Sequence, residues 1–88
     1  MTIWKFPLET TDYQTVQIPQ GGEILCAQMQ AETLCLWALV DPKVPLKNRH
    51  IRIFGTGHPV TGEHLDYIGT YQINGGSLVF HVFEECLK

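Results

Sequence analysis

Charge is scarce in this chain. Only 17% of its 88 residues are Asp, Glu, Lys or Arg, and six basic side chains against nine acidic ones leave a formal net charge of -3. Wrapping DNA or RNA requires a surplus of Lys and Arg to neutralise phosphates, so general nucleic-acid binding is not expected. No apolar run approaches the roughly 20 residues that a bilayer-spanning helix needs. The first residues lack the charged, apolar and small-residue sections of a signal peptide, and the expectation is a cytoplasmic protein with no membrane role. Cysteine is sparse too. Cys26, Cys35 and Cys86 are an odd number at irregular spacing, which suits free thiols in a reducing compartment rather than a disulfide framework. Internal repeats, linkers and low-complexity tracts are also missing.

What the chain does have is apolar content, at 44%. That is enough for one domain with a single thin core, spanning residues 1–88. The segment Thr33 to Val40, closed by Asp41-Pro42, is apolar at both parities and reads as the central strand of a small sheet. Ahead of it, Thr2 to Leu8 alternates Trp4, Phe6 and Leu8 against Ile3 and Lys5, and Pro7, which cannot donate to a ladder, makes this an edge strand or ends the strand there. Tyr13 to Ile18 is a second strand, ended by Pro19-Gln20-Gly21-Gly22. Glu23 to Gln30 alternates again. A short helix over Glu23 to Glu32 is the competing reading, but its apolar residues match a helical period poorly. A hairpin turning at Ala31-Glu32 would set Cys26 opposite Trp37 and Cys35 opposite Gln28.

Beyond the central segment, Lys43 to Asn48 reads as an exposed loop. His50 to Phe54 is a strand ending at Gly55-Thr56-Gly57-His58-Pro59, and Val60 to Glu63 is a turn. Leu65 to Ile73 reads as a strand with Tyr67, Gly69, Tyr71 and Ile73 on one face, Gly69 marking a bulge or a place beneath an aromatic ring. Asn74-Gly75-Gly76 is a hairpin turn. Ser77 to Glu84 is the last strand, apolar on both sides. About seven short strands with closely spaced turns predict a mainly β fold, a small antiparallel sandwich or barrel with little or no helix. Two strands apolar on both faces exceed what so small a domain covers by itself, so a homodimer or higher homo-oligomer is expected.

Three kinds of chemistry are worth weighing. The Gly55-Gly57 turn follows Lys43, Lys47, Arg49 and Arg52, four of the six basic residues. Glycine turns expose N-H groups to anions, so Arg49, Arg52, Thr56 and His58 form a candidate nucleotide-like anion site. Phosphate loops open a helix, however, and this turn leaves a strand, so the plainer reading is a structural turn beside a solvated basic loop. His58 and His64 flank a turn with Glu63 and Asp66 nearby, but the spacing matches no zinc pattern, and no metal or cofactor is expected. His81 reads as a hydrogen-bonded sheet residue. No cysteine has a base beside it, Glu84 and Glu85 would raise the Cys86 pKa, and Glu63, Asp66, Glu84 and Glu85 read as turn or surface residues. The expectation is a protein that is not an enzyme. Finally, Trp4, Trp37, Tyr67, Tyr71, Phe80 and Phe83 would fill most of a core this size, which is the plainer reading; if Tyr67 and Tyr71 instead share an outward face with Gly69, they offer a flat patch for stacking on a base or docking a protein.

Several blocks occur together: Ile3-Trp4-Lys5-Phe6-Pro7-Leu8, Leu36-Trp37-Ala38-Leu39-Val40-Asp41-Pro42, Arg52-Ile53-Phe54-Gly55-Thr56-Gly57-His58-Pro59, Tyr67-Ile68-Gly69-Thr70 and Phe80-His81-Val82-Phe83-Glu84. In these the chain resembles, over nearly its full length, an uncharacterised family of short proteins encoded by tailed bacteriophages and prophages. The resemblance carries no activity and no catalytic residue. It implies a phage protein in a host bacterial cytoplasm, where small accessory proteins modify host functions or block defences. The leading expectation is a non-enzymatic accessory protein that binds a host protein through a sheet edge or aromatic patch. The alternatives are a sponge for a nucleotide signal and a minor virion or assembly component.

Overall fold

The computed structural model describes residues 1–86, and seven strands account for most of them. They are β1 (Thr2–Pro7), β2 (Tyr13–Pro19), β3 (Glu23–Gln30), β4 (Thr33–Val40), β5 (Leu46–Gly55), β6 (Leu65–Ile73) and β7 (Leu78–Glu85), with one 3-10 turn at Asn74–Gly76. Two antiparallel sheets result, ordered β1-β4-β3 and β2-β5-β7-β6. Among the described residues, no helix is long and apolar enough to cross a membrane.

The central segment lies where its composition requires, between β1 and β3. Its even-numbered residues, Leu34, Leu36, Ala38 and Val40, are all buried against Ile18, Ile51, Ile53 and Val82 of the opposite sheet, and these form the core. The odd-numbered face is less well covered: Cys35 is buried, while Trp37 and Leu39 remain half-exposed. The β3–β4 hairpin turns through Ala31, which has a positive φ, and pairs Cys26 with Trp37 and Gln28 with Cys35. That register keeps the two cysteines out of direct opposition, and all three cysteines are free.

Both outer edges carry a proline in the same phase. Leu8 donates its N-H to the Leu34 carbonyl, so the even positions of β1 bond to β4 and the odd ones, Pro7 among them, point to the free edge. On β2, Gln20 donates to Pro45, and Asp12 accepts from Ile53. Even positions therefore face β5, and Pro19 faces away. Proline lacks an N-H, and these are the positions where the loss costs no ladder bond.

The sheets come closest where β3 passes β6. Gly69 sits opposite Ala27, and a Cβ on Gly69 would stand 2.8 Å from the Ala27 carbonyl oxygen. Just before it the β6–β7 register shifts, between Tyr67 and Gly69. This bulge corrects the even alternation expected for Leu65 to Ile73. One extra residue reverses which face a side chain takes, so Tyr67 is 60% exposed and Tyr71 only 4%. A second correction concerns Lys43 to Asn48. The loop ends early, because Leu46, Lys47 and Asn48 extend β5 and pair with Pro19, Ile18 and Gln17. Their side chains are all exposed, as in a loop, although their backbone is engaged.

Candidate functional site

The outer face of the four-stranded sheet gathers a cluster of polar and aromatic side chains that the core does not use. Pairing across the sheet aligns Tyr13, Arg52, Phe83 and Tyr67, one from each strand, in a single row. Phe83 is the middle of an aromatic chain, edge-on to Phe54 at 5.8 Å and to Tyr67 at 5.5 Å. The Arg52 guanidinium lies 5.0 Å from the Phe54 ring centroid. Edge-to-face contacts and a cation over a ring both follow the ring quadrupole, and they fix these side chains in place.

Polar partners lock the neighbouring rows. His81 lies between two hydroxyls, with Nε2 2.7 Å from Thr56 Oγ1 and Nδ1 3.0 Å from Thr70 Oγ1, and Thr70 in turn meets the Tyr67 hydroxyl. Tyr13 is bonded to His50 Nδ1. Arg52 donates to Glu85 at 3.1 Å and to the Asp12 carbonyl at 3.3 Å. The β5–β6 connection closes over this pair: Thr61 accepts from Arg52, and the Glu63 N-H donates to Glu85. The Tyr67 and Tyr13 rings stay open at 60% and 48% exposure.

The six residues singled out from the sequence therefore divide. Arg52, Thr56 and Tyr67 join this face or its rim. Tyr71 does not, because the bulge turns it into the core, where its hydroxyl meets Thr10 at 2.8 Å. Burial pushes the Tyr71 pKa up, against the smaller lowering effect of the Thr10 hydrogen bond. Arg49 is on the opposite side of β5 from Arg52, held by both carboxylate oxygens of Glu84 and donating to the Gly22 carbonyl at 2.7 Å. The Glu84 hydrogen bond keeps its pKa above the ordinary value. His58 folds back onto Gly55 at the end of β5, with its N-H on the Gly55 carbonyl. Arg49, Arg52, Thr56 and His58 thus do not converge. The cleft of about 250 Å³ that Arg49 lines also contains Glu84 and Glu85, so an entering anion would meet two carboxylates.

This also revises the picture of Glu84 and Glu85 as ordinary surface acids and of Arg49 and Arg52 as a solvated loop. Each carboxylate is paired with a strand arginine, and the side chains are 13–20% exposed. Among the described residues, no group of three or more His, Cys, Asp or Glu is arranged to hold a metal. Tyr13, Phe54, Phe83, His50 and Thr70 were not singled out. Their signal was the alternation within each strand, but only the register between strands brings them together.

Cys86 is exposed, yet its thiol pKa is raised, chiefly by its hydrogen bond to Asp66, with smaller contributions from desolvation and from the Glu84 charge. A raised pKa means less thiolate at pH 8 and slower alkylation. Iodoacetamide labelling followed by mass spectrometry should show Cys86 reacting more slowly than a free cysteine, and Asp66→Asn should accelerate it. Equal rates for both proteins would contradict this account.

The model of a family described as a domain of unknown function, DUF7352, matches residues 1–87. The chain belongs to that family. No curated protein and no solved structure is significantly similar to the chain. In this DUF7352 domain, the aromatic and histidine face is the surface on which exposed rings and hydrogen-bonded side chains are held together.

Proposed function

We propose that this protein is a phage-encoded accessory protein that acts by binding rather than by catalysis, and that the outer face of its four-stranded sheet docks a host protein. The observation that carries the reading is Tyr67, 60% exposed on a flat sheet face and braced edge-on by Phe83. Tyrosine and arginine are enriched in protein-binding hot spots, tyrosine because it brings a large contact area with few rotamers to order and arginine because its planar guanidinium both stacks and hydrogen-bonds. Here Tyr67, Tyr13 and Arg52 sit in one row with rotamers already fixed by their neighbours, so little entropy remains to be lost on docking. The net charge of -3 favours a protein partner over a nucleic acid. The resemblance to phage and prophage proteins supplies the setting, a bacterial cytoplasm in which the partner is a host component, including defence systems.

The test uses the tagged full chain as bait in infected cells, followed by titration of the purified captured protein against wild type and Tyr67→Ala. The wild type should retain a host protein, and Tyr67→Ala should weaken that binding roughly tenfold or more, the usual loss when a hot-spot aromatic is truncated. Tyr67 is exposed, so circular dichroism should show an intact fold. Retention of the bait alone, or equal affinity for both proteins, overturns the proposal.

A further inference from the structure

The free edge of β1 offers a second surface, independent of the face just discussed. At its start, three of the four residues from Met1 to Trp4 are exposed and apolar, with Met1 at 78%, Ile3 at 57% and Trp4 at 37%. Natural edge strands are usually protected by charge or by bulges. The single charge on β1 is Lys5, which reaches across its own sheet to Gln30 at 2.6 Å. The edge strand β2 is by contrast polar at Thr15 and Gln17, and its one exposed ring, Tyr13, is bonded to His50. The backbone phase of β1 is fixed by the Leu8 to Leu34 bond. Ile3 and Lys5 therefore present both N-H and C=O to the outside, and Pro7 presents its C=O alone.

We propose that β1 pairs antiparallel with β1 of a second copy about a two-fold axis at Trp4. The side chains select this register. An axis at Lys5 would set two ammonium groups face to face and place Ile3 opposite Pro7, which has no donor. An axis at Ile3 would set Trp4 against Thr2. With the axis at Trp4, Ile3 of each copy exchanges both backbone bonds with Lys5 of the other. The two Trp4 side chains meet in a non-hydrogen-bonded pair, where opposing side chains are closest. On the other face, Lys5 reaches back over its cross-strand neighbour Trp37 to Gln30, which leaves the space beside it open to Ile3 of the second copy. The result is one continuous sheet ordered β3-β4-β1-β1-β4-β3. The strand is complementary to itself in donors, in apolar area and in the placement of its one charge, which is why a second copy is the occupant.

Light scattering or sedimentation equilibrium on the full chain should give twice 10.0 kDa. Lys5→Pro removes only an outward N-H and leaves the ladder to β4 intact, so it should raise the dimer dissociation constant roughly tenfold or more. Trp4→Lys, which keeps every backbone donor, should do the same. Opposite Cα atoms in a non-hydrogen-bonded pair are about 4.5 Å apart, within disulfide reach. Trp4→Cys in a Cys86→Ser background should therefore form an intermolecular disulfide on mild oxidation, and Lys5→Cys should not. A monomer at high micromolar concentration overturns the proposal. So does a dimer that survives both Lys5→Pro and Trp4→Lys, or one that Trp4→Cys fails to link.

Discussion

Leu36→Ala should lower the unfolding free energy by about 4 kcal/mol, while Leu39→Ala, three residues further along the same strand, should cost about 1 kcal/mol. Both remove the same atoms, and the difference comes from the two faces of β4. Leu36 has no exposed surface and sits in the middle of the core between the sheets, so its truncation adds a cavity to the lost transfer energy. Leu39 is on the half-exposed outer face beside Ile3, where water already reaches it and the space can collapse. A domain of this length has a total stability on the order of 5–10 kcal/mol, so the first variant should be marginal and the second comfortably folded. Urea titrations followed by tryptophan fluorescence would measure both, with an unchanged m-value as the check that unfolding stays two-state. Equal losses would mean that β4 is not sided as described.

Gly69→Val should be nearly as damaging, at about 3 kcal/mol, and for the opposite reason. Nothing is removed, but the new Cβ would stand 2.8 Å from the Ala27 carbonyl oxygen, and that obstacle is backbone rather than a movable side chain. Ala27 is buried, so the chain can make room only by separating β3 from β6, where the two sheets come closest. Gly75 is the natural control. It occupies the tight turn before β7 with open space around its missing side chain, so an alanine there costs only the strain of its positive φ. A thermal melt of Gly69→Val within a few degrees of wild type would show that the sheets are not held at that distance.

Much of the fold was legible in the sequence because alternation, prolines and glycine turns are local signals. The strand over Thr33 to Val40 was recognisable from apolar residues at both parities, and the Ala31-Glu32 turn fixed the pairing of Cys26 with Trp37. The misreadings occurred where a local pattern and a distant partner disagree. Leu46 to Asn48 looks like a loop because its side chains are exposed, yet β2 supplies backbone partners to it that nothing nearby in the sequence announces. The bulge at Tyr67 to Gly69 is one residue of slack, visible only once β7 is laid alongside. It separates two tyrosines that an unbroken period of two would have kept together. The candidate site suffered most, since Tyr13, Arg52, Phe83 and Tyr67 come from four strands far apart in the chain. Arg49 and Arg52 looked like a free basic pair because their carboxylate partners, Glu84 and Glu85, lie more than thirty residues downstream.

Pro7 and Pro19 set a limit on growth. Pro7 ends the border of β1 at a position that can accept a bond but offers none, and at Pro19 on β2 the carbonyl is already taken by the Gly22 N-H, so an incoming strand finds a short docking length and then a dead stop. Such borders suit a single, closed association and resist the endless stacking that turns exposed β-rich molecules into fibres.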